Sequence, residues 1–192
     1  MVIKYGAAPK RFESTWDTTQ AGSANDTVVL PLVSDGSYNF RIDWGDGKAN
    51  RDDITVYNQS EVTHQYDDTG IYTIKVVGDI KGWQFNNGGD DDKITEISSW
   101  GPLRFVDNDN RIFRRCSNLT LTATDSLTLG TNNAYELFRY APILGSDGDM
   151  NSWDTSACNT MYRTFADATG FNQPIGNWDT SNVTNMNNMF GY

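Results

Sequence analysis

Phe171-Asn172-Gln173-Pro174-Ile175-Gly176-Asn177-Trp178-Asp179-Thr180-Ser181-Asn182-Val183-Thr184-Asn185-Met186-Asn187-Asn188-Met189-Phe190 decides how the second half of this chain is read. Its Trp178-Asp179-Thr180-Ser181 overlays Trp153-Asp154-Thr155-Ser156 without a gap, and Met186 then falls on Met161. Working back from Phe190, the residues Phe165, Phe138 and Phe113 hold the same place at spacings of 25, 27 and 25. Three residues after each of the earlier ones stands a small side chain (Cys116, Ala141, Ala168), and six after stands a large apolar one (Leu119, Leu144, Phe171). Trp100, Leu127, Trp153 and Trp178 form a second ladder in the same phase. A period in the twenties predicts a solenoid, because one unit is too small to bury its own apolar face and stacks on its neighbours.

The first half follows a different rule. Tyr38, Phe40, Ile42 and Trp44 alternate with Asn39, Arg41 and Asp43, the period-two pattern of a half-buried strand. Gly45-Asp46-Gly47 breaks that run with turn chemistry. Val62, His64 and Tyr66 alternate next, then Tyr72, Ile74 and Val76, which Gly78 is expected to end. Thr27-Val28-Val29-Leu30-Pro31-Leu32 is also β-prone, with Pro31 marking an edge or strand end. Several short strands separated by turns predict an all-β sandwich. Gly82-Trp83-Gln84-Phe85-Asn86-Asn87-Gly88-Gly89-Asp90-Asp91-Asp92 has the composition of a connector.

Two resemblances attach to these residues. Asp43-Trp44-Gly45-Asp46-Gly47, Val62-Thr63-His64-Gln65-Tyr66 and Gly70-Ile71-Tyr72-Thr73-Ile74 resemble the core motifs of PKD domains, immunoglobulin-like sandwiches of cell surfaces and secreted enzymes. In that family the motif residues are structural. The stretch from Phe171 to Phe190 resembles the unit of BspA-type leucine-rich repeats, which occur in bacterial surface proteins and in phage-encoded proteins; the units around Phe113 and Phe138 follow its wording less closely. That resemblance implies a short strand and a helical turn per unit. The expected fold is therefore mainly β: an immunoglobulin-like β-sandwich followed by a short β/α leucine-rich-repeat-like solenoid. The expected divisions are an N-terminal arm over 1–11, the sandwich over 12–81, the connector over 82–93 and the repeats over 94–192. The last unit breaks off after Phe190-Gly191-Tyr192, which predicts further units or coverage of that end by another chain.

Composition narrows the function. Of the 192 residues 38% are hydrophobic and six are Trp, enough for a packed core. The net charge is −10, with 25 Asp and Glu against 15 Lys and Arg, which disfavours nucleic acid as a partner because that binding rests on basic neutralisation. Neither a signal peptide nor a long apolar run is present in the given chain, so membrane insertion is not expected. Cys116 and Cys158 both fall on apolar ladder positions and read as small buried core residues.

Catalytic chemistry finds little support in the residues. The one histidine, His64, lies inside an alternating strand pattern, and no phosphate loop or hydrolase motif occurs. The acid-rich turns are the only ligand candidates: Asp90, Asp91 and Asp92, then Asp107 and Asp109, then Asp147 and Asp149 concentrate hard oxygens suited to calcium, and ordinary turn chemistry explains the same residues. No other cofactor is expected. The chain reads as a non-enzymatic, surface-exposed binding or adhesion module of a phage tail fibre or bacterial surface adhesin. Its partners would be a host-surface protein or glycan and other virion or surface-protein subunits, including further copies of itself. The alternative is a virion structural or decoration protein whose role is assembly, with Lys4, Lys10 and Arg11 in a docking arm. Either reading puts it on a virion, a cell surface or outside the cell.

Overall fold

The computed structural model describes residues 9–48 and 51–192. Most of the arm expected over 1–11, including Lys4, lies outside the described residues. The fold is mainly β. Nine strands form among the described residues: β1 Phe12–Asp17, β2 Thr27–Val29, β3 Ser37–Asp43, β4 Asp52–Ile54, β5 Thr63–Gln65, β6 Ile71–Lys81, β7 Ile94–Ser99, β8 Leu103–Arg104 and β9 Thr120–Leu121. Seven of them make one sheet in the order β4-β3-β6-β1-β7-β9, with β8 pairing β6, while β2 and β5 form a separate antiparallel pair. This arrangement is consistent with a β-sandwich.

The alternation read from the sequence sets the inward face. Tyr38, Phe40 and Ile42 of β3 are buried and their neighbours are not, because successive side chains of a strand point to opposite faces. Gly78 does not end its strand: β6 runs on to Lys81. The residue has φ +120°, and a Cβ there would come within 2.4 Å of the Asn39 carbonyl oxygen, so glycine admits the close approach of β3.

The sheet crosses the expected connector. β7 pairs antiparallel with β1, placing Ile94 opposite Trp16, and then pairs in parallel with β9. The connector itself is anchored by rings. Trp83 lies 5.1 Å from Phe12 and 6.2 Å from Trp16, and Phe85 lies 6.2 Å from Phe113 (centroid to centroid). Lys93 is fully buried, and its Nζ donates to the carbonyl oxygens of Ser23, Ala24 and Thr27 and to Ser23 Oγ. Burial lowers its pKa, against the pull of Asp90 and Asp26. One hydrophobic cluster therefore runs from Phe12 to Trp178.

Among the described residues no α-helix forms, so the helical turn expected in each repeat is a turn without a helix. The reason is local. The second residue before each ladder Phe has positive φ (Arg111, Glu136, Arg163, Asn188), and so does the second residue after it (Arg115, Tyr140, Asp167). A left-handed residue every fourth position breaks right-handed helix propagation.

Candidate binding face

The same left-handed residues build the most distinctive surface of the chain. Holding a non-glycine residue at positive φ costs on the order of 1 kcal/mol, so something must offset it in every unit. Amide groups do. Arg111, Phe113 and Arg115 donate their N–H groups to the carbonyls of Tyr135, Leu137 and Arg139 at 2.9, 3.0 and 2.8 Å. Glu136, Phe138 and Tyr140 donate in the same way to Tyr162, Thr164 and Ala166, and Arg163, Phe165 and Asp167 to Asn187, Met189 and Gly191. Each unit thus hands three N–H groups to the next.

The ladder Phe rings stack inside this framework. Centroids are 5.6 Å apart for Phe113 and Phe138, 5.9 Å for Phe138 and Phe165, and 5.6 Å for Phe165 and Phe190. The Trp ladder follows, with Trp153 5.3 Å from Trp100 and 6.0 Å from Trp178. Cys116 and Cys158 are buried free thiols, and burial raises the pKa of both, that of Cys158 to about 11. Neither is a poised nucleophile, since the thiolate is the reactive form.

Ile112, Leu137, Thr164 and Ala166, next to the Phe residues along the chain, are buried as well, and the positions left partly or fully exposed around them are Arg111, Arg114, Arg115, Tyr135, Arg139, Tyr140, Tyr162 and Arg163. Glu136 is their hub, with only 4% of its side chain exposed. Its Oε2 accepts from Arg111 Nε at 2.9 Å and lies 3.0 Å from Arg114 Nη1, while its Oε1 accepts from Arg139 Nη1 at 2.8 Å. Burial alone would raise the pKa of Glu136, but the three guanidinium groups outweigh it and hold the carboxylate below its ordinary range. Guanidinium carbons sit over tyrosine rings: Arg111 over Tyr135 at 5.7 Å, Arg139 over Tyr140 at 4.6 Å, and Arg163 over Tyr162 at 5.0 Å. Beside the hub opens a polar cleft of about 550 Å³, lined by Asp92, Arg114, Arg115, Ser117 and Tyr140.

The acidic residues expected to attract calcium are dispersed. Asp90 is buried and its oxygens accept from the N–H groups of Ser23 and Val29 at 2.6 and 2.7 Å, so donors occupy it where a cation would need free oxygens. Asp92 accepts from Ser117 Oγ. Asp91 is nearly buried, and burial raises its pKa. Asp109 caps Val106 N–H at 3.2 Å, and burial pushes its pKa up to about 6. Asp107 sits beside Gly130, Asp149 caps the 3-10 turn Met150–Ser152 through Asn151 N–H, and Asp147 is exposed. Among the described residues no three His, Cys, Asp or Glu side chains form a metal-binding group.

His64 is fixed by packing. Its Nε2 is 3.1 Å from Asp46 Oδ2, its ring stacks on Trp44 at 4.7 Å and meets the Tyr66 ring at 4.5 Å. Tyr66 in turn donates to the Trp44 carbonyl and stacks on Tyr72. A second cleft of about 430 Å³ lies on the outer sheet face, where Arg41 pairs with Asp53 at 3.0 Å and Arg51 lies 3.9 Å from Asp43. Those pairs are solvent-exposed and largely satisfy one another.

The Arg and Tyr face was not singled out from the sequence, although a signal was there. Basic and aromatic residues flank three of the ladder Phe residues, as Arg111-Ile112-Phe113-Arg114-Arg115, Phe138-Arg139-Tyr140 and Tyr162-Arg163-Thr164-Phe165. The net charge of −10 hides them.

Residues 107–192 match the model of a family described as a Mycoplasma protein of unknown function, DUF285, which is consistent with BspA-type repeats in this half. No curated protein and no solved structure matches the chain.

Proposed function

We propose that the chain is a non-catalytic binding module. In this reading a PKD-like immunoglobulin sandwich is joined to a short BspA-type, leucine-rich-repeat-like solenoid. It stands on the outside of a bacterial cell or phage particle and recognises a host protein or glycan. The observation that carries the reading is the outward row of arginine and tyrosine beside the stacked Phe ladder, a rigid surface of residue types favoured at binding hot spots. The N–H ladder between successive units supports the solenoid, and the Trp44, Asp46, His64, Tyr66 and Tyr72 cluster supports the PKD-like sandwich. The fluorescently labelled chain, applied to a panel of intact cells, should bind saturably to at least one type. Tyr140→Ala combined with Arg163→Gln should remove that binding while the variant remains fully folded by circular dichroism at the assay temperature. Equal binding by the variant, or none to any cell, refutes the reading.

A further inference from the structure

We propose that the cleft between Arg114, Arg115 and Tyr140 binds the carboxylate of an acidic saccharide. The proposal rests on the binding-module reading and names its ligand. Hydrogen-bond donors are in surplus at this place. A guanidinium carries five N–H donors and no acceptor, and three guanidinium groups meet the single carboxylate of Glu136. Arg114 Nε and Arg139 Nε are buried without a hydrogen-bond partner among the described residues; the nearest carboxylate to Arg139 Nε apart from the hub, Asp167, is 4.0 Å away. Arg115, exposed on the cleft wall, enters no ion pair among the described residues. Its planar fork matches a carboxylate in bidentate geometry.

The rest of the lining selects a sugar over a bare anion. Tyr140 is 39% exposed, and the guanidinium groups of Arg139 at 4.6 Å and Arg114 at 5.8 Å from its ring centroid hold it in place, so the exposed part of a fixed ring borders the cleft for contact with the apolar side of a pyranose. Its hydroxyl accepts from Arg139 Nη2 at 2.8 Å, which leaves its own O–H free to donate. Asp92 stands in the same cleft, with Ser117 Oγ bonded to it. A carboxylate repels the doubly charged phosphate or sulfate more strongly than the single charge of a sugar acid, and it accepts from sugar hydroxyls. A ligand that carries one negative charge and several hydroxyls satisfies both walls. The cleft volume of about 550 Å³ lies within the range of small-ligand sites. A long polyanion such as nucleic acid is disfavoured because the whole chain carries −10 and repels it, whereas one carboxylate feels mainly the local arginines.

The test is calorimetric titration of the full chain with glucuronic acid and N-acetylneuraminic acid, beside their methyl esters, glucose, inorganic phosphate and inorganic sulfate. At least one acid sugar should bind, its methyl ester at least tenfold more weakly, and phosphate and sulfate more weakly still. Arg115→Gln should weaken acid-sugar binding at least tenfold with an unchanged melting temperature, since its backbone amide bond to Arg139 is retained. Arg115→Lys should recover only part of the loss. Asp92→Asn should weaken the sugar and strengthen phosphate. Equal binding of ester and acid, equal binding of phosphate, indifference to Arg115→Gln, or no binding by either acid sugar overturns the proposal. Cell binding that persists without acid-sugar binding overturns this assignment alone and leaves the binding-module reading standing.

Discussion

Replacing Phe138 with alanine tests the stacked ladder at its centre. The ring is fully buried, lies between Phe113 at 5.6 Å and Phe165 at 5.9 Å, and touches Trp153 at 6.2 Å. Truncating a buried Phe costs about 3–5 kcal/mol through lost transfer energy and the cavity left behind. Phe138 belongs in the upper half of that range, because each aromatic pair adds about 0.5–1.5 kcal/mol beyond area burial. Phe190 is the internal control. It stacks on Phe165 at 5.6 Å on one side only and is 53% exposed, so alanine there should cost about 1 kcal/mol. For a chain of this length each kcal/mol lowers the melting temperature by about 2–4 °C. A circular-dichroism melt should therefore drop by about 8–20 °C for Phe138→Ala and by about 2–4 °C for Phe190→Ala. Urea unfolding should give the same ranking. Equal shifts for the two variants would falsify the stacked arrangement, since they would mean that position along the ladder carries no packing.

Three further outcomes follow from the electrostatics. Glu136→Gln removes the one negative charge among three guanidinium groups; a fully buried pair would lose about 3–5 kcal/mol, and the partial exposure of the arginines reduces this to about 2 kcal/mol, read from the urea midpoint. The folded pKa of Glu136 lies below its unfolded value, so its contribution is complete above the ordinary Glu range and is lost as pH falls through the lower folded value. Glu136→Gln should flatten that acid limb, and an unchanged limb argues against the hub. Asp109 has the opposite sign: with its folded pKa raised to about 6 from 3.8, stability falls as pH rises through that window. Asp109→Asn should stabilise the chain at neutral pH by about 2 kcal/mol, and a loss of stability there refutes the assignment. Calcium and a chelator should each leave the melting temperature unchanged, because the seven candidate aspartates do not converge; a saturable rise with calcium overturns this.

Much of the core was legible before any coordinates. Phe113, Phe138 and Phe165, with Cys116, Ala141 and Ala168, are buried where the ladders put them. Tyr38, Phe40 and Ile42 face inward as their alternation requires. Local turn chemistry was less legible. Asp179-Thr180-Ser181 reads equally well as a helix cap and as a turn, and here Asp179 accepts from the Ser181 N–H within a turn. The candidate site was the least legible part. Arg115 and Asp92 belong to different sequence segments, and nothing in either segment announces the other.

What the one-dimensional pattern determined was which side chains turn inward, because burial follows periodicity and periodicity is written in residue types. What only the tertiary structure decided was the company each outward residue keeps. The left-handed backbone around each Phe and the amide ladder between units bring Arg111, Arg114 and Arg139 onto one carboxylate. The pairing of β7 with β1 carries the sheet past the connector. Both outcomes depend on contacts between residues distant in sequence, Arg111 and Arg114 with Glu136 and β7 with β1, whose energies are set by distance in space and leave no local mark on composition.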